Sequence, residues 1–554
     1  MFTTVVLNWE RVLFAVILVV AVFTRFYLLE NRVMSHDENS HVYYSWLLYR
    51  GQGYSHDPVT HGPLQFHLVA LSYFLFGDSD FSARIPAVLF SIATVAFMWA
   101  YRRYLGKAGA LVGALLMVIS PYMLYYGRYV RNEAFVALFG VIMLWTMLRY
   151  LESGAPRYLI YLTIVTALHF TTKETSFIYQ AQALIFLAFL LIYRISLKEW
   201  AVPAYRNLFL IVLLAGLLLL GGAVATGVID TGPPLSEAST ELAPATPLPG
   251  EGQGMSSGLP LVLAGLGAAA LLASLYLLIR GYTWKGLQSE RSFDLLVILG
   301  TLVLPMLAPF PVKALGINPI DYNNPTAITV NVVFIVILTL LAVGVGLLWN
   351  RRLWVINAAL FYAIFTVFYT TVFTNGFGFL TGLVGSLGYW LEQQGVNRGN
   401  QPFYYYALLQ VPFYEFLPLL GTFLAAGVAV FWGRLQSQPD EEPAQPAADV
   451  RVAPTGARRV EGEVQPAPVF ALLLYWAVTS LAAYTIAGEK MPWLTVHITL
   501  PLILLTGWGL GRWIESIDWA FFRQRRGWLV LALLPVFLLS LASAMAALLG
   551  TTPP

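Results

Sequence analysis

Along the chain, apolar residues fall in blocks of roughly 20, the length that carries an α-helix across a bilayer core. The blocks lie near 12–29, 86–101, 109–126, 134–151, 158–172, 177–194, 207–227, 259–279, 294–310, 327–348, 354–374, 412–433, 468–487, 493–511 and 527–549. Apolar and polar residues do not alternate within them, as they would in an outer-membrane barrel. Backbone groups in hydrocarbon must be bonded inside their own segment, which makes helices the default. Some neighbouring short blocks merge, so the pattern predicts an all-α polytopic membrane protein of about 13–15 transmembrane helices. The first block reads as an uncleaved helix rather than a signal peptide, because no small-residue cleavage site follows it and Arg25 interrupts it.

The polar intervals set the expected organisation. Residues 1–227 form one transmembrane module with a long first loop at 30–85, in which 39–50 and 64–76 are expected as interfacial helices. Residues 228–435 form a second transmembrane region with external loops at 228–257 and 375–406. A Pro- and Ala-rich acidic stretch, 436–467, reads as a disordered cytoplasmic linker before the last helices at 468–554. Placing the N-terminus in the cytoplasm puts most Lys and Arg inside, as the positive-inside rule requires. The first loop then faces the extracytoplasmic side of the cell membrane.

Composition agrees. Of 554 residues, 58% are hydrophobic and 11% charged, where a soluble domain carries roughly a quarter charged. The net charge of +3 gives no reason to expect a nucleic-acid partner, and with no Cys there are no disulfides or thiolate metal sites.

The polar chemistry gathers on the expected external face. The first loop holds five of the seven His, at 36, 41, 56, 61 and 67, with Asp37, Glu38, Asp57, Asp78 and Asp80. Arg128, Arg131 and Glu133 lie in one later turn, Lys173 and Glu174 in another, Glu489 and Lys490 in a third. Each alone has an ordinary reading: a snorkelling cation or an N-capping acid. Their convergence on one face points to a site, because ionisable groups beside apolar spans are costly. His36, Asp37, Glu38 and His41, at helical i, i+3 and i+4 spacings, are candidate ligands for a divalent metal ion. Tyr389, Trp390, Tyr404, Tyr405 and Tyr406 form either an aromatic belt at the membrane surface or the lining of a substrate entrance.

The order of motifs carries a resemblance. HDENSHVYYSWLLYRGQGY follows the first helix, then HGPLQFHLVALSYFLFG, SARIPAVLFSIATV and GRYVRNEAF, with GEKMPWLTVHITLPLILLTGWGL near the C-terminus. This resembles the lipid-dependent glycosyltransferases of the GT-C fold, in the branch of protein O-mannosyltransferases and aminoarabinose transferases, and within it a group named for association with flippase activity. The resemblance implies a polyprenyl-phosphate-linked sugar as donor and a protein, lipid or glycan as acceptor. It implies Asp37 as catalytic base, Glu38 beside it, and Glu133 as the second acidic position. Arg128, Arg131, Lys173 and Lys490 are implied for the donor phosphate, and His61, Glu174, Glu489, Tyr404 and Tyr405 for substrate positioning. Where the family commonly has His-Pro-Pro, this chain has His61-Gly62-Pro63. No cofactor is required by this reading, and a divalent ion is compatible with it. A transporter or flippase component, or a non-catalytic scaffold for lipid-linked glycan assembly, is the alternative.

Overall fold

The computed structural model describes residues 8–231, 258–393, 401–436, 465–488, 490–548 and 550. Most of 228–257, most of the 436–467 linker and Glu489 lie outside them. Among the described residues the chain is helical throughout, with no β-strand. In chain order come α1 (Trp9–Phe26), α2 (His36–Tyr49), α3 (Leu64–Phe76), α4 (Asp80–Ile119), α5 (Pro121–Tyr126), α6 (Glu133–Ser153), α7 (Arg157–Phe170), α8 (Ser176–Ser196), α9 (Pro203–Thr231) and α10 (Leu259–Gly281). There follow α11 (Trp284–Gln288), α12 (Arg291–Val303), α13 (Pro309–Ala314), α14 (Pro325–Tyr369), α15 (Gly378–Gln393), α16 (Val411–Tyr414), α17 (Phe416–Gln436), α18 (Val469–Ile486), α19 (Thr495–Ser516), α20 (Trp519–Gln524) and α21 (Trp528–Leu548).

Among the described residues, nine helices are long and apolar enough to cross a membrane, or ten when the bent pair Tyr405–Tyr414 and Phe416–Phe431 counts as one span. The protein is a multi-pass membrane protein. The higher count expected from the apolar blocks has a physical origin. Both α4 and α14 contain a break, at Gly106 (φ 79°) and Asn350 (φ −160°), so each is two blocks read as one helix. The 14-residue α7 is apolar but short. In α1, Glu10, Arg11 and Arg25 interrupt the apolar run.

Arg25 shows how a charge is accommodated there. It is wholly buried, and its guanidinium donates to the carbonyls of Met117 and Val118 and to Ser91 Oγ. Those carbonyls end α4 and have no partner within their own helix, so the arginine fastens α1 to α4. The central core is built on α4, α6, α7, α8, α12, α18 and α19, and α19 is almost entirely buried. Helix α9 packs chiefly on α10.

Two expectations about the loops meet different outcomes. The first loop carries α2 and α3 close to where interfacial helices are expected. The interval 375–406, expected as a loop, instead contains the 16-residue α15, which packs on α13, α14 and the turn Pro58–Thr60. Its glycines do not break it, because small residues let neighbouring chains approach closely in membrane proteins.

Candidate active site

The site is assembled at one end of the bundle by the start of α2, the segment before α3, the start of α4, the turn before α6 and the turn between α7 and α8. At the start of α2, Glu38 turns inward and Asp37 outward. Glu38 is fully buried. It accepts from Arg84 (3.1 and 3.2 Å), Arg32 (2.8 Å) and the backbone N–H groups of Val130 and Ser35. The Ser35 contact is the reciprocal half of a capping box. With its oxygens occupied by these partners, Glu38 clamps the first loop to α4 and the 128–132 turn.

Asp37 is the accessible carboxylate, with 34% of its side chain exposed. It accepts from Arg131 Nη1. Arg131 is buried, with its guanidinium 3.6 Å over the Trp493 ring, its Nε 3.5 Å from Glu133 and its Nη2 3.5 Å from His61 Nε2. Glu133, the first residue of α6, is fully buried and bonded to Lys173 Nζ. Its carboxylate also faces the N-terminal dipole of α6, which favours negative charge there. Glu174 accepts from His61 Nδ1 at 2.9 Å. Burial pushes the Glu174 carboxyl up, but the His61 ring and the Lys173 ammonium outweigh it and hold it at about 2. A continuous chain of charge therefore runs Asp37–Arg131–Glu133–Lys173, with His61 and Glu174 beside it.

The His61-Gly62-Pro63 turn is fixed by this arrangement. His61 has φ 69°. The N–H groups of Gly62 and Leu64 donate to the carbonyls of Thr172 and Thr171. A Cβ on residue 62 would lie 2.4 Å from the Thr171 oxygen, and a proline would lack the N–H. The departure from His-Pro-Pro is thus matched by the Thr171-Thr172 backbone just before Lys173, which sits against the glycine. Asn132 Nδ2 donates to the Thr172 carbonyl from the other side.

Arg128 stands apart from this chain of charge. With Arg32 it lines a cleft of about 700 Å³ whose other walls include Tyr27, Leu28, Pro121, Leu124 and Tyr125. Tyr27, Leu28 and Tyr125 are about half exposed. Arg32 lies over the rings of Tyr125 and Tyr129 and bonds Tyr125 Oη. Burial, with Arg32 and Arg84 nearby, lowers the Arg128 pKa. Lys490 is buried, but its ammonium donates to the Ala487 carbonyl just past α18. Tyr405 is buried against Tyr406 while Tyr404 is half exposed, on the segment leading into α16. The hydrogen bonds and ion pairs of the cluster include none of these three.

The candidate metal set does not converge. His36 is fully exposed, and its Nδ1 lies 3.8 Å from Asp37. His41 is buried, and burial first, then Arg131 and His61, lowers its pKa well below the ordinary value. Five residues apart on a helix, the two rings face different sides. Among the described residues no three His, Asp or Glu side chains are placed to hold a metal ion.

Several participants escape a reading by residue type. Arg32 and Arg84 look like ordinary surface cations, Trp493 like an interfacial aromatic, and His497 like a core histidine. His497, fully buried on α19, bonds Tyr179 Oη at 3.1 Å and stacks on Tyr484. Arg84 and Trp493 do lie inside two of the motifs, SARIP and GEKMPW, which was the available signal.

No protein with a curated description matches the chain. ArnT from Cupriavidus metallidurans bound to undecaprenyl phosphate aligns at 14% identity and TM-score 0.41, over 95% of this chain and 63% of that one. The apo oligosaccharyltransferase of Archaeoglobus fulgidus aligns at 12% identity and TM-score 0.42, over 94% and 52%. The archaeal oligosaccharyltransferase AglB from the same organism, in complex with an inhibitory peptide and a dolichol-phosphate, aligns at 13% and 0.39, over 95% and 54%. The chain therefore spans between half and two-thirds of the length of these proteins. Residues 60–219, which carry His61, Arg128, Arg131, Glu133, Lys173 and Glu174 and begin after Asp37 and Glu38, match the family described as dolichyl-phosphate-mannose-protein mannosyltransferase, in agreement with the resemblance read from the motifs.

Proposed function

We propose that the protein is a membrane glycosyltransferase that moves a sugar from a polyprenyl-phosphate donor to an acceptor on the extracytoplasmic side. The observation that carries this reading is Asp37: a partly exposed carboxylate held by a buried arginine, one residue from the Glu38 clamp that also binds Arg32 of the two-arginine cleft. An acceptor hydroxyl attacks the anomeric carbon while the bond from that carbon to the phosphate oxygen breaks. Asp37 takes the hydroxyl proton as general base, and the polyprenyl phosphate leaves with the electron pair. Arg32 and Arg128 suit the phosphate, since guanidinium groups match phosphate oxygens in bidentate geometry. The exposed apolar walls of their cleft suit the first isoprene units. Arg131 holds Asp37 in place, and Glu133 with Lys173 holds Arg131. This assigns Arg131 and Lys173 to positioning and leaves the donor phosphate to the cleft. The match of residues 60–219 to the family described as dolichyl-phosphate-mannose-protein mannosyltransferase supports a lipid phosphate as the donor's carrier.

The test is transfer by purified protein in liposomes, supplied with a panel of polyprenyl-phosphate hexoses and pentoses. Wild-type protein glycosylates an acceptor and Asp37→Asn does not. Equal transfer by the two proteins removes Asp37 as the base, and no transfer from any donor by wild-type protein removes the reading.

A further inference from the structure

At the end of the bundle opposite the ion-pair cluster lies a cavity of about 970 Å³. It is framed by the start of α1, the break in α4 at Gly106 and the junction of α19 with α20. Its volume is within the roughly 300–1,000 Å³ of small-molecule sites. We propose that this cavity holds the phosphate of an anionic phospholipid from the surrounding bilayer, with an acyl chain running out of it along α1 and the second half of α4.

Three observations lead there. First, the cavity joins cations to apolar walls. Arg102, Arg103 and Lys107 line it together with Leu13, Trp99, Leu111, Ile514 and Trp519. A lone cation at a helix end needs only water for its head. Three around one cavity between membrane helices form the kind of basic pocket that takes lipid headgroups. Tryptophan favours the same depth, and Trp519 is half exposed.

Second, the nearby carboxylates are engaged and one cation is not. Glu10 accepts from Arg102 at 2.8 Å. Glu515 accepts from the Ala108 N–H at 2.9 Å, at the turn where the second half of α4 begins. Glu152 is shared by Arg103 and Arg149. Arg103 still has 53% of its side chain exposed. Lys107 is exposed and makes no hydrogen bond or ion pair among the described residues. A singly charged phosphodiester complements Lys107 and Arg103.

Third, two apolar tracks start at the cavity. On α1, Leu13, Val16 and Val20 stand at i, i+3 and i+7 and are 50%, 53% and 41% exposed. On α4, Leu111, Leu115 and Ile119 stand at i, i+4 and i+8, the last two about half exposed. Each series follows one helix face, and Leu13 and Leu111 are walls of the cavity. An acyl chain leaving the phosphate has a surface to follow into the bilayer. The Arg32–Arg128 cleft lies beyond the other end of α1, so this lipid belongs to the opposite leaflet from the donor and is a different molecule. It would tie together α1, α4 and α19, and its binding does not rest on the transferase reading.

The test is native mass spectrometry of the full-length protein released from detergent, titrated with phosphatidylglycerol, phosphatidylcholine or inorganic phosphate. Phosphatidylglycerol binds in one copy more tightly than any further copies and about fivefold more tightly than phosphatidylcholine, and inorganic phosphate does not displace it. Lys107→Gln and Arg103→Gln each weaken that copy about fivefold, the effect of one basic side chain beside lipid headgroups. Lys107 is exposed and unpaired, so its substitution spares the fold. Arg128→Ala, in the cleft at the other end, leaves the copy unchanged. Equal binding of the two phospholipids, displacement by inorganic phosphate, undiminished binding by both Gln variants, or preference of the same copy for polyprenyl phosphate overturns the site.

Discussion

The two ends of the first half of α4 carry opposite solutions to the same problem. Arg84 and Arg103 stand 19 positions apart on one unbroken helical stretch, about 28 Å at 1.5 Å per residue. At the Arg84 end the charges are buried: Arg84, Glu38, Glu133 and Lys173 are at most 2% exposed. At the Arg103 end, Arg103 bonds Glu152 at 2.6 Å with 53% of its side chain exposed, and Arg149 joins the same carboxylate. Water supports the second group and only partners support the first. A buried pair is costly to break because one charge is left uncompensated, whereas an exposed pair contributes little. The expensive network occupies the end where a partly exposed carboxylate is held in one orientation, and the proposed transfer would need such rigid geometry.

The comparison can be broken or sharpened by substitution. Asp37→Asn should lower transfer by about 10²- to 10⁴-fold, the usual contribution of a general base, with unchanged accumulation in the membrane. Lys173→Met, which leaves buried Glu133 only its 3.5 Å contact with Arg131, should lower stability by about 3–5 kcal/mol, read by thermal unfolding in detergent. Adding Glu133→Leu should recover most of that loss without recovering transfer, because a well-packed apolar pair replaces a buried ion pair at little cost.

The Glu174–His61 contact makes a pH-dependent forecast. The folded Glu174 carboxyl lies at about 2, below its ordinary 4.5. Its stabilisation is therefore complete above about 4.5 and is lost as pH falls toward 2, amounting to about 3 kcal/mol. Glu174→Gln should flatten the acid limb of the unfolding curve over that window. Arg128→Ala should weaken binding of polyprenyl phosphate about tenfold and leave unfolding nearly unchanged. Arg103→Ala, at the opposite end, should cost about 0–1 kcal/mol and leave transfer intact. A loss there as large as that of Lys173→Met would erase the distinction between the ends.

Helices and motif segments were legible because each depends on local pattern. The apolar blocks announced spans, and Asp37, Arg131, Glu133, Lys173, His61 and Glu174 stood out as charges or His beside apolar runs. What residue type could not separate was Asp37 from Glu38. Adjacent on a helix, they point about 100° apart, so one is clamped by Arg32 and Arg84 while the other meets solvent. His36 and His41 part for the same reason, since they share a helix and not a face. Arg128 and Arg131, three residues apart, part between a cleft and an ion-pair chain according to which neighbours the turn brings to each.

The sequence by itself determined that the chain crosses a membrane many times and that its ionisable groups concentrate in a few turns, because hydrophobic block length and the cost of charge near lipid are properties of segments. Only the tertiary structure decided which acid is accessible, which cations are already paired and where the cleft beside Arg128 lies. Those depend on partners such as Arg84, Trp493 and Tyr125, each far along the chain from the residue it meets, and no local pattern encodes the meeting.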